Sequence, residues 1–202
     1  MKNKKFVFWF LGPSSSGKTT IGKMLVEEMR ITNIPAIHYD GDEIRSFFGK
    51  TLGFEAQDRL RAVSICAHLA NKATDAGLNS VVSALTANDD ARDYISDNVS
   101  NIILIYLKCP IEICIKRDSR GLYQGVKEGK IDPKTVIGLD EPYPPPSNPD
   151  LIIATNEKTP EESVVIIKNY LIRMGYNNFF SHQESSPERA SLKRGKVTPA
   201  GW

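Results

Sequence analysis

Residues 6–30 read FVFWFL, then GPSSSGKTT, then IGKMLVEEMR. Six uninterrupted apolar residues, Phe6 to Leu11, suit a strand buried on both faces of a parallel sheet. Ile21, Met24, Leu25 and Met29 recur at the spacing of one helix face. Between them, Gly12-Pro-Ser-Ser-Ser-Gly17-Lys18-Thr19 fits G-x-x-x-x-G-K-[ST] in the strand-then-helix setting that gives this pattern its meaning. The glycines let the backbone curl, so that successive N–H groups through Ser14, Ser15 and Ser16 point at phosphate oxygens. The helix that follows adds its positive end. Lys18 is expected on the β- and γ-phosphates, and the Thr19 hydroxyl, followed by Thr20, on Mg²⁺.

Strand and helix patterns alternate along the rest of the chain. AIHYD (36–40), NSVVSAL (79–85), NIILIYLKC (101–109) and DLIIAT (150–155) read as four further strands. Residues 57–76 read as a long helix with Leu60, Val63, Ala67 and Ala70 on one face, ending at Gly77. Shorter helices are expected over 111–117, behind Pro110, and over 159–173, where Pro160 and two acids occupy the first turn. Alternation of this kind predicts an α/β fold: a three-layer, roughly five-stranded parallel sheet with helices on both faces. Ligands then sit beyond the carboxyl ends of the strands, where Gly12–Thr20, Asp40–Arg45, Thr86–Arg92 and Lys108–Tyr123 meet on one edge.

The chain has 202 residues and a net charge of +2, so no overall field argues for nucleic acid. Three cysteines (Cys66, Cys109, Cys114) lack a metal-type spacing and fit a reduced, cytoplasmic compartment. FVFWFL is shorter than a membrane span, so no membrane partner is expected. One domain is expected over 1–178, with a lid over about 119–147, rich in glycine, proline and charge and too polar for core. A flexible tail is expected over 179–202: its last twenty-one residues hold four basic and two acidic side chains, and Trp202 could dock back.

The stretch YDGDEIR (39–45) opens as an ordinary turn and N-cap pattern. Its place at a strand's carboxyl end beside the phosphate loop turns it into a candidate site. A guanine-binding Asn-Lys-x-Asp string is absent, the nearest being Asn156-Glu-Lys158-Thr. A small chain with a lid-like polar segment points instead to a kinase for a small metabolite.

In order and spacing, GPSSSGKTT, YDGDEIR, GFEAQDR, SAL, YLKCPIEICIKRDSRGLY and GLDEPYPPPSNPDLII resemble the adenylylsulfate (APS) kinases, over roughly residues 5–172. Gluconate- and shikimate-type kinases share the phosphate loop but leave RDSRGLY and DEPYPPPSNPD unexplained. The resemblance implies transfer of the ATP γ-phosphate to the 3′-hydroxyl of a nucleotide with a 5′ anionic group, APS or an analogue. It implies ATP and Mg²⁺ as cofactors, and a homodimer as the assembly. Gly12, Ser14–Ser16, Gly17, Lys18, Thr19, Thr20 and Arg117 would bind ATP. Asp42, Lys18 and Arg120 would be catalytic, and Thr19 and Asp40 would hold the metal. Asp40, Arg45, Phe54, Arg59, Asn88 and Val136 would bind the acceptor.

The acceptor half departs from the family's pattern. After Asp58-Arg59, Ala62 stands where the family has asparagine. Thr86-Ala87-Asn88-Asp89-Asp90 replaces Ile-Ser-Pro-Tyr-Arg and brings two acids that would repel a phosphosulfate. Val136-Ile137-Gly138 replaces the lid's Phe-Thr-Gly, and with it a stacking ring worth about 1–3 kcal/mol. An alternative acceptor follows, a cytidine diphosphoramidate in capsule modification. From another class comes a non-catalytic nucleotide-binding regulatory module. His38 and His68 read as structural.

Overall fold

Strand β1 (Val7–Leu11) lies at the centre of the sheet with every residue buried. Its alternating side chains serve two cores. Phe8 and Phe10, with Phe6 just before the strand, pack against Ile21, Leu25 and Met29 of α1 (Lys18–Ile31). The same core takes Val164, Ile167 and Leu171 of α7 (Pro160–Arg173). Val7, Trp9 and Leu11 face the other way, onto Val63, Cys66 and Ala70 of α3 (Ala56–Asp75) and Ile95 of α4 (Asp89–Asn98). A strand apolar on both faces thus demands helices on both, and each fully buried large side chain stabilises the fold by roughly 1.5–3 kcal/mol.

This computed structural model describes residues 4–118, 120–139, 142–176 and 179–180, the side chains of residues 50 and 134 excepted. The sheet has the order β2-β3-β1-β4-β5 and is parallel throughout, with β2 at Ala36–Asp40, β3 at Asn79–Ser83, β4 at Ile102–Lys108 and β5 at Leu151–Ala154. Register sets the carboxyl edge: Ser83 lies opposite both Phe10 and Asp40, and Leu11 lies opposite Tyr106. The loops after β1, β2 and β3 therefore emerge at one height.

Three helices escape the sequence pattern: α2 (Gly41–Phe48), α4 and α6 (Leu122–Lys127). Helix α2 carries Ile44, Phe47 and Phe48 at the spacing of one face but buries none of its residues, Phe47 and Phe48 being exposed; its start is written in Asp40, whose side chain accepts from the Asp42 N–H. Helix α4 buries only Ala91 and Ile95. Helix α5 (Ile111–Arg117) matches its expected bounds. The segment expected to be too polar for core contributes to one: Tyr123 and Val136 pack with Cys109 and Cys114, and Tyr143 joins the α3 side of the sheet. Phe179 and Phe180, expected in the flexible tail, pack against the core, Phe179 on Phe6 and Phe8; the tail from residue 181 on, with Trp202, lies outside the described residues, as do Ser119, Asp140 and Glu141 within the lid segment.

Candidate active site

The phosphate loop is shaped by backbone that only glycine accepts at its first position. Gly12 has φ +146°, and a Cβ there would come 2.6 Å from the Leu107 carbonyl oxygen. Ser15 (φ 60°) and Gly17 (φ 100°) complete the curl, and α1 starts at Lys18. The Lys18 amine folds back, donating to the carbonyls of Gly12 (2.8 Å) and Pro13 (2.7 Å). Burial lowers its pKa to about 8, partly offset by the negative charge of Asp42.

One carboxylate organises the neighbouring strand end. Asp40 Oδ2 accepts from Thr19 Oγ1 (2.6 Å), and its Oδ1 accepts from the Asp42 N–H (2.9 Å). It therefore caps α2 and holds the hydroxyl expected on the metal. Beneath it His38 donates from Nε2 to Ser83 Oγ (2.9 Å), because Ser83 spends its own proton on the Lys18 carbonyl (3.0 Å). This chain ties α1 to the sheet, and His38 is structural.

Two cavities share this edge. The larger, about 630 Å³, is lined by Ser15 through Thr20, Asp40, Arg117, Thr155 and Lys158. Arg117 closes its far end, donating to the Thr155 carbonyl (2.6 Å) and to Cys109 Sγ (3.7 Å). Ser16 Oγ is buried and has no hydrogen-bond partner among the described residues. The smaller, about 260 Å³, is lined by Ser14, Arg45, Phe54, Arg59, Ala62 and Asn88, among others. Lys18, Asp42 and Arg120 line both. Arg120 forms an ion pair with Asp42 across that shared wall. Both side chains are half exposed, so the pair contributes little to stability and is free to exchange partners.

Arg45 and Arg59, expected to grip the acceptor's anion, are tied to backbone. Arg45 donates to the carbonyls of Leu52 and Gly53, while Arg59 donates to those of Phe54 (2.7 Å) and Thr135 (3.0 Å). Both guanidiniums sit over the Phe54 ring, at 5.0 and 5.8 Å. Partial burial lowers both pKa values from the ordinary arginine value.

Two expectations are corrected. Val136 is not in the acceptor cavity: it is 4% exposed and packs with Cys109, Cys114 and Tyr123, because the turn around Thr135 rolls its side chain inward. Asp89 and Asp90 are exposed in the first turn of α4, outside both cavity walls; Asp89 pairs with Arg92, while Thr86, Ala87 and Asn88 just before them line the smaller cavity. Gly12 also lines neither cavity and acts through backbone shape. Sequence reasoning missed Thr155 and Lys158, although the sheet-edge rule applied to the loop after β5 points to them. It also missed Cys66, a buried wall residue whose thiol pKa is pushed up to about 12 by burial.

No helix among the described residues is long and apolar enough to cross a membrane. Residues 4–154 match the family model described as adenylylsulphate kinase. The adenylyl-sulfate kinase of Rippkaea orientalis is 35% identical over 176 residues, covering 87% of this chain and 96% of that protein. The probable adenylyl-sulfate kinase of Pseudomonas aeruginosa is 38% identical over 165 residues, covering 80% and 75%. Among solved structures, the Mycobacterium tuberculosis APS kinase CysC, in complex with AMPPNP and APS, superposes with a TM-score of 0.75. It is 27% identical, covering 84% of this chain and 98% of that one. A phosphate loop facing a second cavity across Lys18, Asp42 and Arg120 suits what these relatives do, and the chain, an ATP-dependent phosphotransferase, belongs to the adenylylsulphate kinase family.

Proposed function

We propose that the chain moves the γ-phosphoryl group of ATP onto the 3′-hydroxyl of adenylyl sulfate. One observation carries the reading: the three residues common to both cavity walls are Lys18, Asp42 and Arg120. A phosphoryl group passing from one cavity to the other crosses that wall, where it meets two cations and one carboxylate. The triphosphate draws Lys18 off the carbonyls of Gly12 and Pro13 and draws Arg120 off Asp42. Asp42 is then free to orient the acceptor hydroxyl and take its proton. The new bond joins the 3′-oxygen to Pγ, and the bond from Pγ to the β-phosphate oxygen breaks. Such transfer rests on alignment and charge neutralisation more than on covalent chemistry.

The Thr19 hydroxyl and the Asp40 carboxylate, 2.6 Å apart, are hard oxygen donors that fit Mg²⁺. Among the described residues no cluster of three His, Cys, Asp or Glu side chains could hold a metal alone, so phosphate oxygens and water would complete its shell. When bound, the metal neutralises phosphate charge. Three free cysteines fit a cytoplasmic setting, which belongs to the same proposal, as does a homodimer.

A second acceptor is favoured by one feature of the smaller cavity. Ala62, Val63 and Cys66 form its α3 wall, and Phe54 is the one aromatic ring among its described lining residues. That wall has no amide to pair with a purine, which suits a cytidine 5′-diphosphate derivative such as the diphosphoramidate. A transfer assay with radiolabelled ATP and each acceptor tests the choice. Saturable turnover with adenylyl sulfate supports the first reading. Turnover with the cytidine compound alone replaces it by the second, and turnover with neither sinks both.

A further inference from the structure

The loop after β3 carries the floor of the smaller cavity, with Thr86, Ala87 and Asn88 all on its wall. Thr86 is a buried non-glycine residue with φ +41°, a left-handed conformation that persists only where the surroundings over-determine it. Three side chains do so. The Trp9 indole N–H donates to Thr86 Oγ1 (3.0 Å), and Arg92 Nε donates to the Thr86 carbonyl (3.2 Å). The Tyr143 hydroxyl shares its proton between the carbonyls of Leu85 (2.6 Å) and Thr86 (3.0 Å).

Arg92 and Tyr143 also hold one another. The Arg92 guanidinium lies 5.7 Å from the Tyr143 ring centre and donates to the carbonyls of Pro144 and Pro145, with its side chain 11% exposed. The Tyr143 ring stacks on Tyr106 of β4 at 6.0 Å and 15°. The result is a latch. A proline-rich segment some 57 residues downstream is pinned onto the two carbonyls that define the turn under the acceptor.

We propose that Arg92 and Tyr143 are positioning residues for the acceptor: they lock the Thr86 turn and so set where Ala87 and Asn88 meet the acceptor nucleotide. Neither side chain lines either of these two cavities, so both act through the loop. The inference rests on the smaller cavity being the acceptor site, as proposed above. It assigns to the tyrosine-proline segment a task in acceptor binding, besides the contact of the Tyr143 hydroxyl with the Gly12 backbone at the start of the phosphate loop.

Tyr143→Phe keeps the ring stack and removes only the hydroxyl; Arg92→Lys keeps the charge and removes the fork. In steady-state kinetics Tyr143→Phe should raise the acceptor KM roughly threefold to tenfold, the range of one lost neutral hydrogen bond, and Arg92→Lys by at least as much; in Arg92→Lys, which leaves the Tyr143 hydroxyl on Gly12, the ATP KM stays at the wild-type value. Amide hydrogen exchange, which needs no turnover, should quicken at residues 84–88 in both variants and, in Arg92→Lys, stay unchanged at residues 12–20. Equal rises in both KM values, an unchanged acceptor KM, or wild-type protection at 84–88 would overturn the proposal. If the wild-type enzyme turns over neither acceptor, the proposed function falls, and the exchange comparison alone decides whether the latch exists.

Discussion

Replacing Lys18 by methionine tests how the phosphate loop waits for its ligand. The Lys18 amine is buried against two carbonyls, and its pKa falls from 10.5 to about 8. Below pH 8 the folded and unfolded chains both carry this proton, and the folded chain bears the full cost of burying it. Between about 8 and 10.5 the unfolded chain holds the proton while the folded chain has released it. Stability from this group is therefore absent below about pH 8 and complete above about 10.5. The gain is about 1.4 kcal/mol per pH unit, or about 3 kcal/mol across the window. For a domain of this size that corresponds to about 6–12 °C in Tm. Methionine is of similar length and does not titrate, so Lys18→Met removes the slope while its lost hydrogen bonds shift only the offset. Thermal unfolding from pH 7 to 10.5, wild type minus variant, isolates the effect from tyrosines and thiols that titrate in both. Parallel curves would refute the buried-amine account.

Other outcomes follow from the same geometry. Asp42→Asn should cut phosphotransfer by about 10²–10⁴-fold. Binding of a non-hydrolysable ATP analogue, measured by calorimetry, should hold or tighten because Arg120 loses its competitor; a proportionate loss of binding would contradict the proton-acceptor role. The phosphates need the Lys18 ammonium, so kcat/KM for ATP should fall about tenfold per pH unit above about pH 8. A profile flat to pH 10 would count against this. Gly12→Ala places a Cβ 2.6 Å from the Leu107 carbonyl at φ +146°, and should cost about 1–3 kcal/mol in urea unfolding while weakening ATP binding.

The ATP half of the site was legible because it is local. Gly12 to Thr19 is one continuous stretch whose backbone makes the ligand cradle, and its flanking strand and helix are apolar enough to announce themselves. The acceptor half is assembled from α2, α3, the Thr86 turn and the lid, and there sequence position misled. Val136 was expected against the acceptor by alignment with a lid aromatic, yet the fold rolls it into a satellite core. Asp89 and Asp90 looked like charges in the site, but a helix starting at that point turns them to solvent. Helix α2 is only eight residues long and buries none of them, so its two signals, the Asp40 cap and the Ile44-Phe47-Phe48 spacing, are too short to stand out. The latch at Tyr143 joins residues far apart in the chain, and no local pattern records such a contact.

The strand register also sets the tolerance of the chemistry. Asp40 stands level with Ser83, which stands level with Phe10, two residues before Gly12. The Thr19–Asp40 contact therefore depends on the hydrogen-bond ladders joining β2, β3 and β1. A slip of one residue in either ladder would move Asp40 by about 3.3 Å and turn it to the opposite face of the sheet. That displacement exceeds the length of the hydrogen bond it would have to preserve. The ladder is thus the ruler against which the site is cut, and changes in the apolar residues of β2 or β3 should reach catalysis as errors of measurement before they appear as losses of stability.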